Sequence, residues 1–592
     1  MKGKLLLVGL VILCTSGISS AQGIGTWVLQ TKHDTLVVKD YNDMGGVANS
    51  IANLLNADTG STVPADRVYE LHANGYYPIT ANPTTAARGV VIVGEDSGGV
   101  RLVNNTDANA APPVLCGSTI SGAGSNTGGI NWGGNLEVDN CNIIPSASDG
   151  TNGWTFFWGS VPNCTVKLVN DLFERTLWVQ VASNTEAGTN LHINDCYFVN
   201  LSGLATRRNG GVYDNTNNNT DTIWVENCTH VMTEGSMYKF RNFPITKLFF
   251  NHNTFINNCG SVFENVGYCS NLTVANNIFV NCNLQSTSDV LLRVDIGEPD
   301  LTEPTGLINV NVLPDSFAQV QRYVLADRNL VYWDPRFNNV DSILIANKVD
   351  KTTNWWSQRI EMNTRTDSMF NDKKDYPYLT QGRWYNQLPT FAKPQNLLTS
   401  EVDSCKAWSV ATVDTANTKI LSTWRLVNIG ADYYVYSDWP IPVNLAYTDA
   451  SLMTAGTNGS PLGDLNWFPA QKAQWVASGA AAEHQVLSQE LTSGVLAVRN
   501  NVTVPGSFAL NQNYPNPFNP STVINFTVPK AGNVTLKVYN VLGQEVATIV
   551  DGFKAAQTYN VKFDASNLST GVYFYTLRSG DQSITKKMLL LK

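Results

Sequence analysis

The chain has 592 residues and a formal net charge of −9, and only 15% of its residues are charged. An acidic chain without basic clusters excludes nucleic acid and anionic membrane surfaces as preferred ligands. Low charge, 45 glycines and many asparagines and threonines are typical of extended β architecture and unusual for a helical enzyme.

The first 21 residues predict a cleavable secretory signal peptide. Lys2 and Lys4 precede the apolar run Leu5–Leu13, and small residues lead from there to Ala21. The run is shorter than the ~20 apolar residues that a membrane span needs. We therefore expect export with cleavage after Ala21, and no transmembrane span in the remainder.

Residues 22–66 predict an N-terminal cap. The segment Met44–Asn56 has apolar residues at the spacing of one helical face. They are Val47, Ile51, Leu54 and Leu55. A helix here would cover the open end of the repeat that follows, where unpaired strand edges invite aggregation.

Residues 67–345 contain a repeat of the form apolar-x-apolar-x-Asn/Asp-x-x-apolar. Its clear copies begin at Leu136, Val166, Leu191, Ile223, Leu248 and Leu272. A unit of roughly two dozen residues with loop insertions is typical of a solenoid. A weaker copy begins at Tyr323, and its larger distance from the previous copy predicts two further turns.

The chemistry of the motif predicts a right-handed parallel β-helix, and the fold class is all-β. Two apolar residues flanking a polar one make a strand with inward ends. The Asn or Asp that follows suits a sharp corner, because it tolerates left-handed backbone. We expect the stacked corners to form hydrogen-bonded ladders. A leucine-rich repeat is the competing fold, but its denser leucine spacing is absent.

The first coils are predicted at Arg67–Leu71, Val90–Val93 and Val100–Val103. Further along the repeat, a cysteine recurs one position after the corner. These residues are Cys141, Cys196 and Cys228. Their common register indicates small apolar thiols stacked in a core, in preference to a metal site or a disulfide framework.

The order of helix, Val-rich coils and Asn-cornered coils resembles the pectate-lyase-like superfamily of secreted β-helices. The resemblance is one of architecture across roughly residues 60–345 and carries no activity-specific motif. Residues 346–500 are aromatic-rich and less regular. They predict either a cap over the far end of the solenoid, with a short helix near Ala470–Ala482, or a separate module.

Residues 508–592, after a linker at 501–507, predict a small sandwich of alternating strands. Val534–Val538 and Val572–Leu577 alternate with period two between clusters of Pro, Gly and Asn. The segment resembles the C-terminal sorting domain of the type IX secretion system. The motifs that carry the resemblance are Tyr514-Pro515-Asn516-Pro517-Phe518, Val538-Tyr539-Asn540-Val541-Leu542-Gly543, Leu568-Ser569-Thr570-Gly571 and the basic, apolar tail ending at Lys592.

That resemblance implies an Ig-like C-terminal β-sandwich, the type IX secretion machinery as a partner, and delivery out of a Gram-negative cell. The protein would then be secreted or held at the outer cell surface. The sandwich itself needs no catalytic residue.

No catalytic constellation is recognisable in the repeat. Hydrolase and esterase motifs of related β-helices are missing, and a lyase would need Ca²⁺-binding carboxylates beside a basic residue. Candidate Ca²⁺ ligands are Asp295, Glu298, Asp300 and Glu303. Lys239 and Arg241 are candidate bases, although a surface role fits them better. His230 and His252 fit packed and corner positions better than catalytic ones.

Aromatic side chains on a groove suggest a second kind of site, because their faces stack on sugar rings. The candidate carbohydrate contacts are Trp154, Trp158, Trp333 and Trp356. The favoured hypothesis is therefore an exported β-helix that binds polysaccharide or a surface glycan, or that forms part of the cell envelope. The alternative is an extracellular polysaccharide lyase or glycoside hydrolase.

Overall fold

The computed structural model describes the chain as two compact units, one ending at Leu496 and one beginning at Ala497. It describes residues 24–496 and 508–592 with gaps at 62, 81, 96–110, 118–128, 146–154, 160, 177, 184–186, 202–209, 217, 242, 265–267, 285–305, 314–320, 341–342, 344–358, 411–426, 430–434, 438, 529–531 and 555–556. The predicted signal peptide, the strand at Val100–Val103 and the linker lie outside the described residues.

The first unit is a parallel β-helix with three sheets, as the repeat predicts. The first sheet has twelve strands. In spatial order they are Val28–Lys32, Thr35–Val38, Val68–Leu71, Val90–Gly94, Leu136–Asp139, Thr165–Val169, Thr189–Asn194, Thr220–Glu226, Ile245–Asn251, Cys269–Ala275, Tyr323–Asp327 and Leu379–Gln381.

The second and third sheets complete each rung. The second sheet consists of Tyr76–Ile79, Val114–Gly117, Asn142–Ile144, Leu172–Glu174, Tyr197–Leu201, Thr229–Thr233, Thr254–Asn258, Ile278–Cys282, Asn329–Tyr332 and Trp384–Tyr385. The third consists of Ile130–Trp132, Phe157–Gly159, Val179–Ala182, Gly211–Asp214, Tyr238–Lys239 and Phe263–Glu264.

The inward residues of successive rungs stand in register and form one apolar column. Val138 is aligned through Leu168 with Ile193, and the column continues through Val225 and Phe250 to Val274. All of them are fully buried. The predicted stacking of rungs is confirmed.

An aromatic column runs beside it along the second sheet. His230 stacks between Phe198 and Phe255, with ring centroids 4.7 and 4.3 Å away, and Phe255 stacks on Phe279 at 5.0 Å. Burial lowers the pKa of His230 well below its usual range. His230 is therefore a packed core residue, as its apolar slot predicts.

The predicted corners adopt left-handed backbone, the conformation that asparagine tolerates best among residues with a side chain. Positive φ angles occur at Asn140, Asn170, Asp195, Asn227, His252 and Asn276. Two amides hydrogen-bond between rungs near these corners, Asn170 Nδ2 to Asn140 Oδ1 at 3.2 Å and Asn276 Nδ2 to Asn251 Oδ1 at 2.8 Å.

The predicted alignment of the last copy is wrong by one residue. Val324, not Tyr323, pairs with Leu272, and the left-handed corner is Arg328. The strand pairs directly with Cys269–Ala275, so the long gap contains one rung with an insertion and not two turns. A strand repeats every second residue, so a slip of one residue exchanges its inward and outward faces.

A buried ladder runs one position after the corners. Cys228 N donates to Asn253 Oδ1 at 3.0 Å, and Asn253 Nδ2 donates to Asn277 Oδ1 at 3.0 Å. Asn277 Nδ2 donates in turn to Asn329 Oδ1 at 3.0 Å. The cysteines of the repeat occupy the same ladder. All nine described cysteines are buried and free, as expected for packed thiols.

The N-terminal helix is shorter than the predicted segment. It spans Ser50–Ala57 and buries Ile51, Leu54 and Leu55. The sequence pattern predicts Val47 on the same face, but Val47 precedes the helix and is 56% exposed. Asn49, which adopts a left-handed conformation, starts the helix after Val47.

Most of the chain after residue 359 packs on outer faces of the β-helix, while Leu379–Gln381 and Trp384–Tyr385 end its first and second sheets. The helices of this part are Thr364–Asn371, Ser400–Val410, Pro469–Gln474, the π-helix Trp475–Gly479 and Ala480–Ser493. It also contains 3₁₀ turns at Thr457–Gly459 and Leu465–Trp467 and a hairpin of Val427–Ile429 with Val435–Ser437. Two further 3₁₀ turns lie earlier in the chain, at Ile24–Thr26 and Pro335–Phe337. Leu397, Val402 and Tyr447 pack with outward residues of the second sheet such as Val199 and Ile256. Met369 and Phe370 pack in the inner core with Leu379, at the last strand of the first sheet, whereas the later helices cover outer faces of the second and first sheets.

The second unit is a sandwich of two antiparallel sheets. One contains Ala509–Leu510, Ser521–Val528 and Gln557–Asp564, and the other Gly532–Tyr539, Glu545–Lys554, Gly571–Ser579 and Gln582–Leu590. Alternate residues such as Leu536, Val538, Tyr575 and Leu577 fill its own core, as the period-two pattern predicts.

Candidate functional site

The structure describes two of the four predicted tryptophans, and it does not bring them together. Trp158 is half-buried on the outer face of the third sheet, and its ring lies 5.8 Å from that of Trp178. Trp333 is half-buried, and its Nε1 donates to the Cys282 carbonyl at 2.7 Å. About six rungs separate them, or roughly 29 Å at the spacing of parallel strands.

The other predicted site residues lie outside the described residues. They are Trp154, Trp356, Asp295, Glu298, Asp300 and Glu303. Of the candidate bases, Arg241 forms a bidentate ion pair with the buried Asp214 at 2.9 and 2.8 Å, and Lys239 is buried. Arg241 is thus held by a carboxylate and is not a free surface cation.

A row of outward side chains on the first sheet was not singled out by the sequence. Lys167, His192, Trp224 and Phe249 stand in register on four consecutive rungs. Lys167 is exposed, His192 and Trp224 are half-buried, and Phe249 is buried. We call these four residues, with Lys247 beside them, the first-sheet row.

Contacts along the first-sheet row are aromatic and cationic. The ring centroids of Trp224 and Phe249 are 3.8 Å apart, and that of His192 is 6.3 Å from Trp224. Lys247 Nζ lies 4.7 Å from the Trp224 centroid, within cation–π range. Lys167 Nζ pairs with Glu137 at 3.1 Å.

Two lysines of the row act on His192 although the chain is acidic. Burial lowers the pKa of His192, and the nearby Lys167 and Lys247 lower it further. Burial also lowers the pKa of Lys247. His192 is therefore held mainly as the neutral imidazole at neutral pH, able to exchange hydrogen bonds with a hydroxyl group.

The helix Ala480–Ser493 forms a wall beside the row. Leu487 and Leu491 pack on Phe249 and on the outward residues that follow it. The His484 ring lies edge-on to Trp224, with centroids 5.1 Å apart, and its Nε2 is 2.7 Å from Glu226 Oε1. The helix thereby limits the row on one side.

Behind the wall is a buried chain of polar contacts. Asn251 Nδ2 lies 2.7 Å from both Glu226 Oε1 and Glu483 Oε1, and His252 Nε2 is 3.0 Å from Glu483. Trp224 Nε1 donates to Glu226 Oε2 at 3.2 Å. Burial opposes ionisation of Glu483, but His252 and the hydrogen bonds lower its pKa overall. Both oxygens of Glu226 have partners, so this carboxylate anchors the helix.

A second cluster lies near the N-terminal cap. Among the residues that the structure describes, Asp40, Asp43 and His72 bring potential metal-ligand atoms within 4.8 Å of one another. Asp40 Oδ1 accepts from the Asp43 backbone N at 2.8 Å, and His72 Nε2 is 3.2 Å from Asp43 Oδ2. These contacts close a turn, and we assign them a structural role.

The comparisons identify the C-terminal unit. Residues 512–591 match the family model described as the secretion system C-terminal sorting domain. The protein is thus a β-helix that carries the sorting domain of a type IX secretion cargo, which places it among secreted or cell-surface proteins. No curated protein and no solved structure matches the chain. In the described part of the chain, no helix has the length and hydropathy of a membrane span.

The Glu226–His484 pair predicts pH-dependent docking of the wall helix. Burial by itself lowers the pKa of His484, but the contact with Glu226 raises it overall. The stabilisation is therefore fully present below the unfolded value of about 6.5 and is lost as the pH rises through the higher folded value. We expect the free-energy difference between wild type and His484→Gln, measured by urea unfolding, to be larger at low than at high pH.

Gln485→Ala is the matched control, because Gln485 is exposed on the same helix and does not titrate. Its free-energy difference from wild type should be independent of pH. A constant difference for His484→Gln across the same range would contradict the ionic contact.

Proposed function

We propose that the exported β-helix binds polysaccharide on the first-sheet row. The observation that carries the proposal is the alignment of Lys167, His192 and Trp224 on consecutive rungs, where they stay exposed or half-buried. Solenoids present such extended surfaces to long ligands. An indole beside cationic and imidazole donors suits the mixed apolar and hydroxyl surface of a sugar.

The length of the site matches a polymer better than a small molecule. Rungs are about 4.8 Å apart, so the four rungs from Glu137 to Trp224 present roughly 14 Å of surface. The lysines Lys167 and Lys247 favour a polysaccharide with acidic groups. The wall helix covers the Phe249 end of the row, whereas His192 and Trp224 stay half-buried.

Trp224→Ala is expected to weaken binding of an acidic polysaccharide about tenfold or more, equivalent to about 1.4 kcal/mol. Isothermal calorimetry against a panel of neutral and acidic polymers measures the change. Lys167→Ala should weaken only the acidic polymers, and salt should have the same effect. Lys562→Ala, exposed in the sorting domain, is the control. Unchanged affinity in both row variants would exclude this face.

The alternative function is a polysaccharide lyase or glycoside hydrolase, and the half-exposed His484 against Glu226 is the observation in its favour. Incubation with the same panel tests it. Unsaturated or reducing products that Glu226→Gln abolishes, in a variant with native unfolding behaviour, would replace binding by catalysis. Binding without products supports the proposal.

A further inference from the structure

The outward side chains of the first sheet become progressively buried along the solenoid. In the first-sheet row, Lys167 is exposed and His192 and Trp224 are half-buried, whereas Phe249 is only 5% exposed. The outward residues aligned with Phe249 on the following rungs are also buried, and they are Thr273, Leu325 and Thr380. The line of outward positions therefore leads from an accessible floor into a covered one.

The cover at this end is the wall helix. Leu487 and Leu491 pack in one apolar cluster with Phe249 and Leu325. Near the start of the helix, the His484 ring lies edge-on to Trp224 and to Phe249, with centroids 5.1 and 5.5 Å away. The helix thus covers the rungs directly after Trp224, on the line that the row follows.

The wall helix and the segment before it are held by ion pairs at the corners of the β-helix. Five successive corners run from Asp195 to Arg328, and the first, third and fifth carry an ionisable side chain in place of asparagine. Each of these three faces a partner that can carry the opposite charge. The pairs are Asp195–Lys472 at 2.6 Å, His252–Glu483 at 3.0 Å and Arg328–Glu490 at 2.8 Å.

The spacing of these pairs fixes the helix in one position. The corners His252 and Arg328 are two rungs apart, or about 9.6 Å. Their partners Glu483 and Glu490 are seven residues apart, or about 10.5 Å along an α-helix, and lie on the same face. A shift by two rungs would place Glu483 against the like charge of Asp195. Because Arg328 and Glu490 are buried, their separation would leave an unpaired charge in the interior, so the wall helix is a fixed part of the site.

We propose that the first-sheet row binds the end of a polysaccharide chain and that the wall helix stops the chain after the rung of Trp224. This inference rests on the proposed function and specifies which part of the polymer the row takes. The terminal sugar unit lies against the exposed part of the Trp224 indole, and the preceding units lie over His192 and Lys167. One more unit beyond Trp224 would need the space that Leu487 and Leu491 fill.

A stopped row and an open row differ in the number of proteins that one polymer chain can hold. A row open at both ends accepts any internal stretch, so the number of bound proteins per chain grows with chain length. A row closed after Trp224 accepts one kind of chain end, so this number stays at one. The count separates the two arrangements without any change to the wall helix.

The test uses the full chain and size-fractionated alginate, polygalacturonate and hyaluronan, which are linear acidic polysaccharides. Calorimetry gives the molar ratio of protein to polymer chain, and light scattering gives the mass of the saturated complex. We expect one protein per chain for short and long fractions alike, with the same affinity per chain. Trp224→Ala should weaken this binding about tenfold or more at every length. Lys562→Ala, the control in the sorting domain, should leave it unchanged.

Reductive amination of the polymer with a bulky amine then identifies the end that is bound. Loss of binding assigns the reducing end to the Trp224 rung, and unchanged one-to-one binding assigns the non-reducing end. A number of bound proteins that rises with chain length, with binding still weakened by Trp224→Ala, would overturn the inference and leave the proposed function intact. Absence of binding to all three polymers would overturn both.

Discussion

Asn277→Ala is expected to lower the free energy of unfolding of the β-helix by about 3–5 kcal/mol. The Asn277 side chain is completely buried, and both of its polar atoms are used. Its Oδ1 accepts from the backbone N and the Nδ2 of Asn253 at 2.9 and 3.0 Å. Its Nδ2 donates to Phe250 O and Asn329 Oδ1, both at 3.0 Å.

The size of the effect comes from the partners that remain. Alanine leaves the amide groups of Asn253 and Asn329 and the carbonyl of Phe250 without these bonds, in a place that water does not reach. An unsatisfied buried polar group costs about 1–3 kcal/mol, whereas an exposed one exchanges its partner for water. The ladder connects several rungs, so loss of the Asn277 side chain also weakens the hydrogen bonds of neighbouring rungs.

Asn271→Ala is the matched control for this prediction. Asn271 belongs to the same rung, is half-buried, and donates a hydrogen bond from Nδ2 to Thr246 O at 3.0 Å on the outer face. We expect a loss below about 1 kcal/mol, measured by urea unfolding of both variants. Equal losses in the two variants would show that the ladder does not stabilise the solenoid.

Deletion of residues 508–592 is expected to abolish export while the β-helix still folds. The deleted residues form a compact unit with its own core, centred on Leu536, Tyr575 and Leu577. The match to the sorting domain assigns the export signal to this unit. Cell fractionation should find the truncated protein in the periplasm, and circular dichroism should show the thermal transition of the intact β-helix.

The reciprocal fusion is the control for export. Residues 501–592 attached to an unrelated periplasmic protein should carry that protein out of the cell. The point variant Trp224→Ala, which leaves the sorting domain intact, should be exported like wild type. Normal surface delivery of the truncated chain would contradict the assignment.

The sequence predicts the alignment of neighbouring strands where the inward positions of a strand are clearly apolar. Where a strong apolar residue marks both inward positions, as at Leu191 and Ile193, the predicted and observed faces agree. In Tyr323–Asp327 the alternation of apolar and polar residues is weak, because the small Ala326 fills an inward position and the aromatic Tyr323 an outward one. The neighbouring strand, through its hydrogen bonds, sets the register there.

The first-sheet row and its wall were beyond the reach of sequence patterns. Asn251 and Glu483 are 232 residues apart, yet their side chains touch. No local spacing relates them, and a lone histidine such as His484 in a helix has no signature of its own. The one signal for this site in the sequence is that cationic and aromatic residues occupy matching positions of successive copies of the repeat. That signal can be recognised only after the rungs have been aligned.

By itself the amino-acid order determined the rung, the left-handed corners, the buried thiols and the C-terminal sandwich. Each depends on residues within one turn of the chain, where alternation of side chains and the backbone freedom of asparagine decide the outcome. The tertiary structure alone decided which outer faces of the β-helix are covered by later segments of the chain and which stay exposed. That choice depends on where the chain after residue 359 packs, and the packing is set by apolar contacts between segments far apart in sequence.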